Sequence, residues 1–221
     1  MSLRVFQASM PTAHHKFGLP PIDFVWGEDL LRFDQTWYDQ VEETTRHERH
    51  LLTKTRKELE PAALDGRVLL AVHFKMDKCG GSDMMNVAGG IVLWDLERDP
   101  RGVMWYELGT FFVEPYWRFE QTHLAIGDTL YQTLLDLHRD KNILGTTTNV
   151  SAIKTGMRHG MQMVNFSSLP ITIHRATCIC PIEKTGTDNN MHCPLKDAQC
   201  RARVTTETWE RLGRPARITY P

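Results

Sequence analysis

Apolar and polar positions along the first third of the chain predict a short strand followed by helices. Residues 22–26 form a brief apolar run that predicts a first strand. Residues 27–64 are rich in Glu, Arg, Leu and Thr, contain no proline before Pro61, and predict two helices. Glu28 or Asp29 lies where a carboxylate favours a helix N-terminus.

Three β-rich segments follow in close succession. They cover residues 67–75, 87–96 and 103–113. A loop with two adjacent glycines over residues 76–86 and a turn with Pro100 over residues 98–102 separate them. Because the connections are short, the three strands are expected to form an antiparallel meander.

The next segments alternate between helix and strand. Ile126, Leu130, Leu134 and Leu137 form one apolar stripe, which predicts a helix running to about Asp140. The predicted elements after it are a strand at 143–148, a helix at 150–159 with Gly160 after its C-terminus, and a strand at 161–166. Residues 178–221 show no readable pattern.

This order of elements predicts an α/β (α+β) fold with a mixed, mostly antiparallel sheet and helices on both faces. The strand–helix–strand step after Val113 favours a parallel crossover, since such connections join parallel strands. We expect a single domain over residues 1–221, with an irregular arm at 1–20 and a cysteine-containing C-terminal region at 178–221.

Composition and charge narrow the possible partners. Lys plus Arg number 26 and Asp plus Glu number 27, for a net charge of −1, so no strong basic field favours nucleic acid or an anionic membrane. No apolar stretch is long enough to span a bilayer, and residues 1–20 lack the apolar centre of a signal peptide. We therefore expect a cytoplasmic protein without a membrane or nucleic-acid partner.

The chain contains 5 cysteines, namely Cys79, Cys178, Cys180, Cys193 and Cys200. An odd number without a secretory signal favours free thiols and no bound metal. A zinc site formed by the last four, with His192 adjacent, is the alternative. The paired Cys-x-x-Cys spacing of structural zinc sites is absent, which favours free thiols.

Two motifs carry the clearest functional signal. In the first, Glu107 lies six residues before Val113, Pro115 two residues after it, and Arg118 five residues after it. The second is Asn149-Val-Ser-Ala-Ile153, with Gly160-Met161 eleven and twelve positions after Asn149. Together, over residues 67–166, they resemble the fourth strand and the Asn-x-x-Ala-Ile segment of the GNAT (Gcn5-related N-acetyltransferase) superfamily.

The resemblance implies a site for acetyl-CoA or another acyl-CoA as co-substrate. In the family the fourth and fifth strands diverge, and the pantothenyl amides pair with the exposed edge of the fourth, as a strand-like partner does. Phe111, Phe112 and Val113 occupy that edge here. The pyrophosphate lies on the N-terminus of the next helix, where free N–H groups favour an anion.

The resemblance also implies roles for individual side chains. Arg118, Gln121, Thr122 and His123 would hold the phosphates, and Asn149 would bind the cofactor arm. Glu107 would act as general base and accept a proton from an amine acceptor, either a small molecule or a peptide. The implied function is transfer of an acyl group from acyl-CoA to that amine.

The chain departs from the family pattern at three positions. Gln121 and His123 stand where the phosphate loop usually has glycines, and a Cβ restricts positive φ and close approach. Gly156 stands where many members have a Tyr that serves as general acid. His159 and His174 are the candidate substitutes for that acid.

Each assignment has a structural alternative. Glu107 is otherwise a solvated or salt-bridged strand carboxylate, residues 118–123 an ordinary loop and helix cap, and Asn149 a helix N-cap. The whole chain is alternatively an acyl-CoA-binding module without turnover, or a zinc-stabilised interaction protein. The acceptor, the acyl chain length and the oligomeric state, a homodimer included, stay open.

Overall fold

The computed structural model describes residues 21–33, 35–48, 51–75, 84–118, 125–147, 149–165, 168–177 and 201–214. Within these ranges the chain forms seven strands and six α-helices. The strands are β1 (Asp23–Trp26), β2 (Val68–Lys75), β3 (Met84–Arg98), β4 (Met104–Val113), β5 (Asn142–Thr147), β6 (Gln162–Val164) and β7 (Arg201–Val204). The helices are α1 (Thr36–His47), α2 (Arg56–Leu64), α3 (Ile126–Leu137), α4 (Val150–Arg158), α5 (Ile171–Thr177) and α6 (Thr206–Arg211).

The strands form one sheet with the order β1-β2-β3-β4-β5-β7-β6. The pairs β1–β2, β2–β3, β5–β7 and β6–β7 are antiparallel, whereas β4–β5 is parallel. The prediction of a mixed, mostly antiparallel sheet with helices is therefore confirmed. The parallel pair is the one joined through α3, because a parallel connection needs a crossover.

Predicted boundaries agree with most observed elements to within a few residues. The clearest error concerns the loop expected over residues 76–86, since Met84–Asn86 already belongs to β3. Helix α3 ends at Leu137 rather than near Asp140. Gly160 has φ +83° directly after α4, which confirms it as the helix-terminating glycine.

The described residues fall into two compact units. The first is formed by the described parts of 1–92 and 110–135, and the second by those of 93–109 and 136–221. Strands β3 and β4 contribute residues to both units. None of the helices in the described ranges is long and apolar enough to cross a membrane.

The core of the first unit is built on β2, whose residues Val68–Val72 are all buried. A continuous apolar run is typical of a strand covered on both faces. Gly89 in β3 allows close packing, because a Cβ there would lie 2.9 Å from the Phe112 carbonyl oxygen and 3.2 Å from Leu130 Cδ1. The missing side chain thus lets α3 and β4 approach β3.

The second unit has its own apolar core. Trp105, Leu144, Ile173 and Val204 are fully buried in one cluster to which β4, β5, α5 and β7 contribute. Asp99 lies in the tight turn that joins β3 to β4, and its backbone N–H donates to the Val103 carbonyl at 2.9 Å. This turn determines where β4, the strand with the first motif, begins.

Candidate functional site

Strand β4 is paired with β5 over only three positions. Trp105–Glu107 pairs with Asn142–Leu144 in parallel register, whereas β4 continues to Val113 and β5 continues to Thr147. On its other edge, β5 pairs with β7 from Leu144 to Thr147. Strand β4 is the fourth of the seven strands in the sheet order, and its pairing with β5 covers these three positions.

Glu107 is the last residue of β4 in the segment that pairs with β5. Its side chain is half-buried, and its carboxylate accepts a hydrogen bond from the Thr146 hydroxyl. The contact follows from the register: Glu107 pairs with Leu144, and Thr146 lies two residues further along the same face of β5. A carboxylate on a strand, oriented by one hydroxyl donor, has the chemistry required of a general base.

One residue of β4, three positions after the pairing ends, has an unusual backbone conformation. Thr110 has φ +47°, which places a non-glycine residue in the left-handed region. Such a conformation costs on the order of 1–3 kcal/mol and persists only where the surroundings impose it. Thr110 is buried, at 6% exposure. We regard this residue as the local distortion that separates the paired part of β4 from Phe111–Val113.

Phe111, Phe112 and Val113 form the last part of β4. Phe111 and Val113 are half-buried, and a Cβ at Gly127 would lie 3.2 Å from Phe111 Cζ and 3.4 Å from Val113 Cγ2. Gly127 thus allows α3 to pack closely on this part of β4. The Phe111 ring meets Tyr131 edge-on, with centroids 5.3 Å apart. Phe112 is buried on the opposite face, as strand alternation requires.

Arg118 is exposed, and its guanidinium is hydrogen-bonded to other groups of the protein. Its Nε donates to the Val113 carbonyl at 3.1 Å, and its Nη2 donates to Glu48 Oε1 at 2.6 Å. A phosphate at Arg118 would therefore compete with the Glu48 carboxylate. Asp128 lies in the first turn of α3 and adds negative charge near that helix N-terminus.

Some predicted residues cannot be placed. Gln121, Thr122 and His123 lie outside the described residues. The cysteines, Cys79, Cys178, Cys180, Cys193 and Cys200, lie outside them as well, together with His192. Within the part of the chain that the structure describes, no group of three or more His, Cys, Asp or Glu residues is arranged to hold a metal ion.

Asn149 is the N-cap of α4. Its Oδ1 accepts from the backbone N–H groups of Ser151 at 2.9 Å and of Ala152 at 3.4 Å. The capping role is confirmed, and the role in binding a cofactor stays a prediction. Both roles fit one residue, because capping uses the amide oxygen and leaves the side-chain NH₂ as a donor.

The candidates for the general acid lie in separate elements of the second unit. Gly156 is buried within α4. His159 follows α4 at its C-cap, where its backbone N–H donates to the Thr155 carbonyl at 3.2 Å. His174 is buried in α5, at 4% exposure.

Two features of the structure were not predicted from the sequence. Thr146 was not predicted as a site residue because its hydrogen bond to Glu107 depends on the register between β4 and β5. No local sequence pattern encodes that register. A cleft of about 650 Å³ in the first unit is lined by α1, β2, β3 and the residues after β4. These lining segments are far apart in the chain, so no local sequence pattern predicts the cleft.

Comparisons with known proteins find distant structural similarity and no match in sequence. No protein-family model matches the chain, and no curated protein matches it. Arabidopsis thaliana Naa50 in complex with the bisubstrate analogue CoA-Ac-MVNAL aligns with 84% of this chain and 98% of its own, at 16% identity and a TM-score of 0.46.

Two further solved structures are similar at the same level. A GCN5-related N-acetyltransferase from Kribbella flavida covers 64% of this chain and 33% of its own, at 17% identity and a TM-score of 0.41. Mosquito arylalkylamine N-acetyltransferase like 5b covers 83% and 99%, at 13% identity and a TM-score of 0.43. Similarities this distant carry no inference about what this chain binds or does.

Proposed function

We propose that this protein is a divergent GNAT-type acyltransferase that moves an acetyl or other acyl group from acyl-CoA to an amine. The acceptor is a small-molecule or peptide amine, and the location is cytoplasmic. The proposal treats residues 1–221 as one domain. The observation that carries it is the short pairing of β4 with β5, which ends at Glu107 while β4 continues to Val113.

The chemistry assigned to Glu107 is general base catalysis. The acceptor nitrogen attacks the thioester carbonyl carbon as Glu107 takes a proton from that nitrogen, and the C–S bond then breaks. Backbone N–H groups near Val113 polarise the carbonyl oxygen, in the manner of an oxyanion hole. The departing thiolate takes its proton from water or from another side chain, His159 and His174 being the candidates, since Gly156 has no side chain to supply one.

Thr146 supports this role by orienting the Glu107 carboxylate. We expect Thr146→Val to lower kcat about tenfold and to leave KM for the acyl donor nearly unchanged. A hydrogen bond to a charged group is worth about 1.5–3 kcal/mol. Thr146→Ser keeps the hydroxyl and should restore most of kcat. Steady-state kinetics of the two variants provides the test, and equal activity of the Val and Ser variants would contradict the role.

The acyl-CoA proposal predicts that coenzyme A stabilises the folded protein. A ligand that binds only the native state at about 100 times its Kd adds about 2.7 kcal/mol. For a chain of this size that corresponds to a rise in Tm of roughly 5–10 °C. Thermal unfolding with increasing coenzyme A measures the effect. An unchanged Tm at millimolar coenzyme A would contradict the proposal that the folded protein binds acyl-CoA.

Two variants test whether Arg118 binds the phosphates. Arg118→Ala should weaken coenzyme A binding about tenfold, because a charge-assisted contact is lost. Glu48→Ala removes the present partner of Arg118 and should tighten binding instead. Arg139→Ala, at an exposed ion pair with Asp136, is the matched control and should leave the affinity unchanged. The proposal requires that Arg118→Ala weakens coenzyme A binding and that Glu48→Ala strengthens it.

The alternative of a binding module without turnover is separated by one further measurement. Coenzyme A binding with no thiol release from acetyl-CoA, over a broad panel of amines, would favour the module. Thiol release that depends on an amine would favour the transferase. The observation that favours this alternative is that Gln121 and His123 stand where the family pattern has glycines.

A further inference from the structure

The second unit contains a buried guanidinium. Arg203 is the third residue of β7 and is 2% exposed, in register with Gly145 of β5 on one side and Met163 of β6 on the other. Burying a charge is costly, and an apolar residue of similar volume often stabilises a core equally well. An apolar residue cannot, however, donate hydrogen bonds in fixed directions, as the planar guanidinium does. The groups that Arg203 holds in place therefore indicate its role.

The guanidinium is bonded to the first turn of α4. Arg203 Nη1 donates to the Ala152 carbonyl, and α4 packs on both β5 and β7. Ala152 also takes part in the N-cap, because its backbone N–H donates to Asn149 Oδ1 at 3.4 Å. The backbone of one residue thus connects Arg203 to Asn149. Since the cap bonds fix the Asn149 side chain relative to this turn, a shift of the turn moves the Asn149 amide with it.

Gly145 provides the space in which the guanidinium lies. A Cβ at Gly145 would lie 2.9 Å from Arg203 Nη2, which is too close for a normal contact. The next atoms, Arg203 Cζ and Met161 Cε, would lie at 3.5 Å, an ordinary contact distance. The backbone of Gly145 is not in the left-handed region, so an alanine could adopt it. The absence of a side chain at Gly145 therefore serves the guanidinium rather than the backbone.

Arg203 and Glu107 lie on opposite faces of the sheet at β5. Thr146 binds the Glu107 carboxylate, and its neighbour Gly145 faces the other side, because side chains alternate along a strand. Arg203 is in register with Gly145 and shares its face with α4. A change at Arg203 is therefore expected to act on α4 and Asn149 rather than on the proposed base.

We propose that Arg203 is a positioning residue for the acyl-CoA site. It fixes the first turn of α4 against β5 and so holds the Asn149 side-chain NH₂ where a carbonyl of the cofactor arm accepts from it. The inference rests on the proposed function, because it depends on the predicted role of Asn149 in binding acyl-CoA. Arg203 acts through the backbone of α4 and is too buried to contact the ligand itself.

The first experiment measures coenzyme A affinity by isothermal titration calorimetry in a double-mutant cycle. Arg203→Met should weaken binding about tenfold, a coupling of the size that packed side chains transmit. Gly145→Ala should weaken it about threefold, because the added Cβ displaces the guanidinium. The double variant should bind as Arg203→Met does, since the flexible Met side chain can avoid the Cβ. Losses that add in the double variant would overturn the proposal.

A second cycle separates positioning from a general loss of stability. Asn149→Ser keeps an oxygen for the N-cap but removes the side-chain NH₂. It should weaken coenzyme A binding about fivefold, through loss of one hydrogen bond. Arg203→Met should then add little in the Asn149→Ser background, whereas a purely structural effect would be the same in both backgrounds and would refute the proposal. The turnover number of Arg203→Met at saturating acyl-CoA should fall less than its affinity, because Glu107 lies on the other face.

Arg211→Met is the matched control. Arg211 is exposed and donates to the carbonyls of Asp140 at 3.0 Å and Lys141 at 2.6 Å in the same unit, so this variant also loses guanidinium bonds to backbone carbonyls. It should bind coenzyme A as the native chain does. Hydrogen exchange of the α4 amides, measured without ligand, should be faster in Arg203→Met and unchanged in Arg211→Met. Unchanged exchange in Arg203→Met would contradict the proposal.

The outcomes distinguish this inference from the function on which it rests. A native chain that does not bind coenzyme A would contradict both. Native binding that Arg203→Met leaves unchanged would refute the role of Arg203 alone. Circular dichroism checks the fold of each variant, and Gly145→Ala, which keeps Arg203 in place, provides the test if Arg203→Met does not fold. Native affinity and native α4 exchange in Gly145→Ala would then refute the proposal.

Discussion

Glu107→Gln is expected to lower the turnover number by about 10²–10⁴, the usual contribution of general acid–base catalysis, and to leave coenzyme A affinity nearly unchanged. Gln keeps the shape of Glu and can still accept a hydrogen bond from the Thr146 hydroxyl. It cannot take the proton from the acceptor nitrogen. The loss therefore falls on kcat rather than on binding.

The measurement is a thiol-release assay on an acceptor that the native protein acylates, with coenzyme A affinity determined in parallel. Glu97→Gln is the matched control, because Glu97 is an exposed carboxylate on β3 in the same unit. It should retain native turnover. Near-native turnover of Glu107→Gln would make Glu107 a structural residue, and the base would then be His159, His174 or a bound water.

The sheet was predictable because its strands carry local signals. The apolar run of β2 is buried throughout Val68–Val72, and the stripe on α3 buries Ile126, Leu130 and Leu134. Such periodic patterns reflect burial directly. By contrast, β7 consists of only Arg201–Val204 and includes the buried Arg203, so neither its length nor its polarity marked it as a central strand.

The site was predictable only where it depends on position within one element. Glu107 and Asn149 were both singled out from motifs, and the structure confirms Asn149 as an N-cap. Thr146 was missed, because its contact with Glu107 is set by a register between strands 39 positions apart. The cleft was missed for a similar reason, since its wall depends on Gln40 reaching Met85 and Val87.

Asp99→Ala is expected to lower the free energy of unfolding by about 2–4 kcal/mol, because the N–H groups that hydrogen-bond to its carboxylate, the buried Trp105 indole among them, lose their acceptor. Asp99 is buried, at 4% exposure. Its Oδ1 accepts from the backbone N–H groups of Arg101 at 2.9 Å and Val103 at 3.0 Å, and its Oδ2 accepts from Arg101 Nη2 at 2.9 Å. Thermal and urea unfolding measure the loss, which corresponds to roughly 5–15 °C in Tm. Asp140→Asn, at an exposed turn, should stay within about 0.5 kcal/mol of the native chain.

The charge of Asp99 gives this stability a defined pH dependence. Burial raises the pKa of the Asp99 carboxyl, but hydrogen bonds from Arg101, Val103 and Trp105 favour the carboxylate more strongly and leave the pKa below its usual value. A carboxyl whose pKa is lower in the folded state stabilises the fold fully above its unfolded pKa of about 3.9. That contribution is lost as pH falls through the folded pKa.

Asp99→Asn isolates the charge, because Asn keeps the side-chain shape and turns one acceptor oxygen into a donor that faces Arg101 and the Trp105 indole. The native chain should be more stable than Asp99→Asn at pH 7, and the difference should shrink as pH falls below about 4. Urea unfolding of both proteins between pH 7 and pH 3 gives the two curves. A difference that stays constant over this range would mean that Asp99 holds the β3–β4 turn through shape alone. A shrinking difference would mean that its charge stabilises the β3–β4 turn.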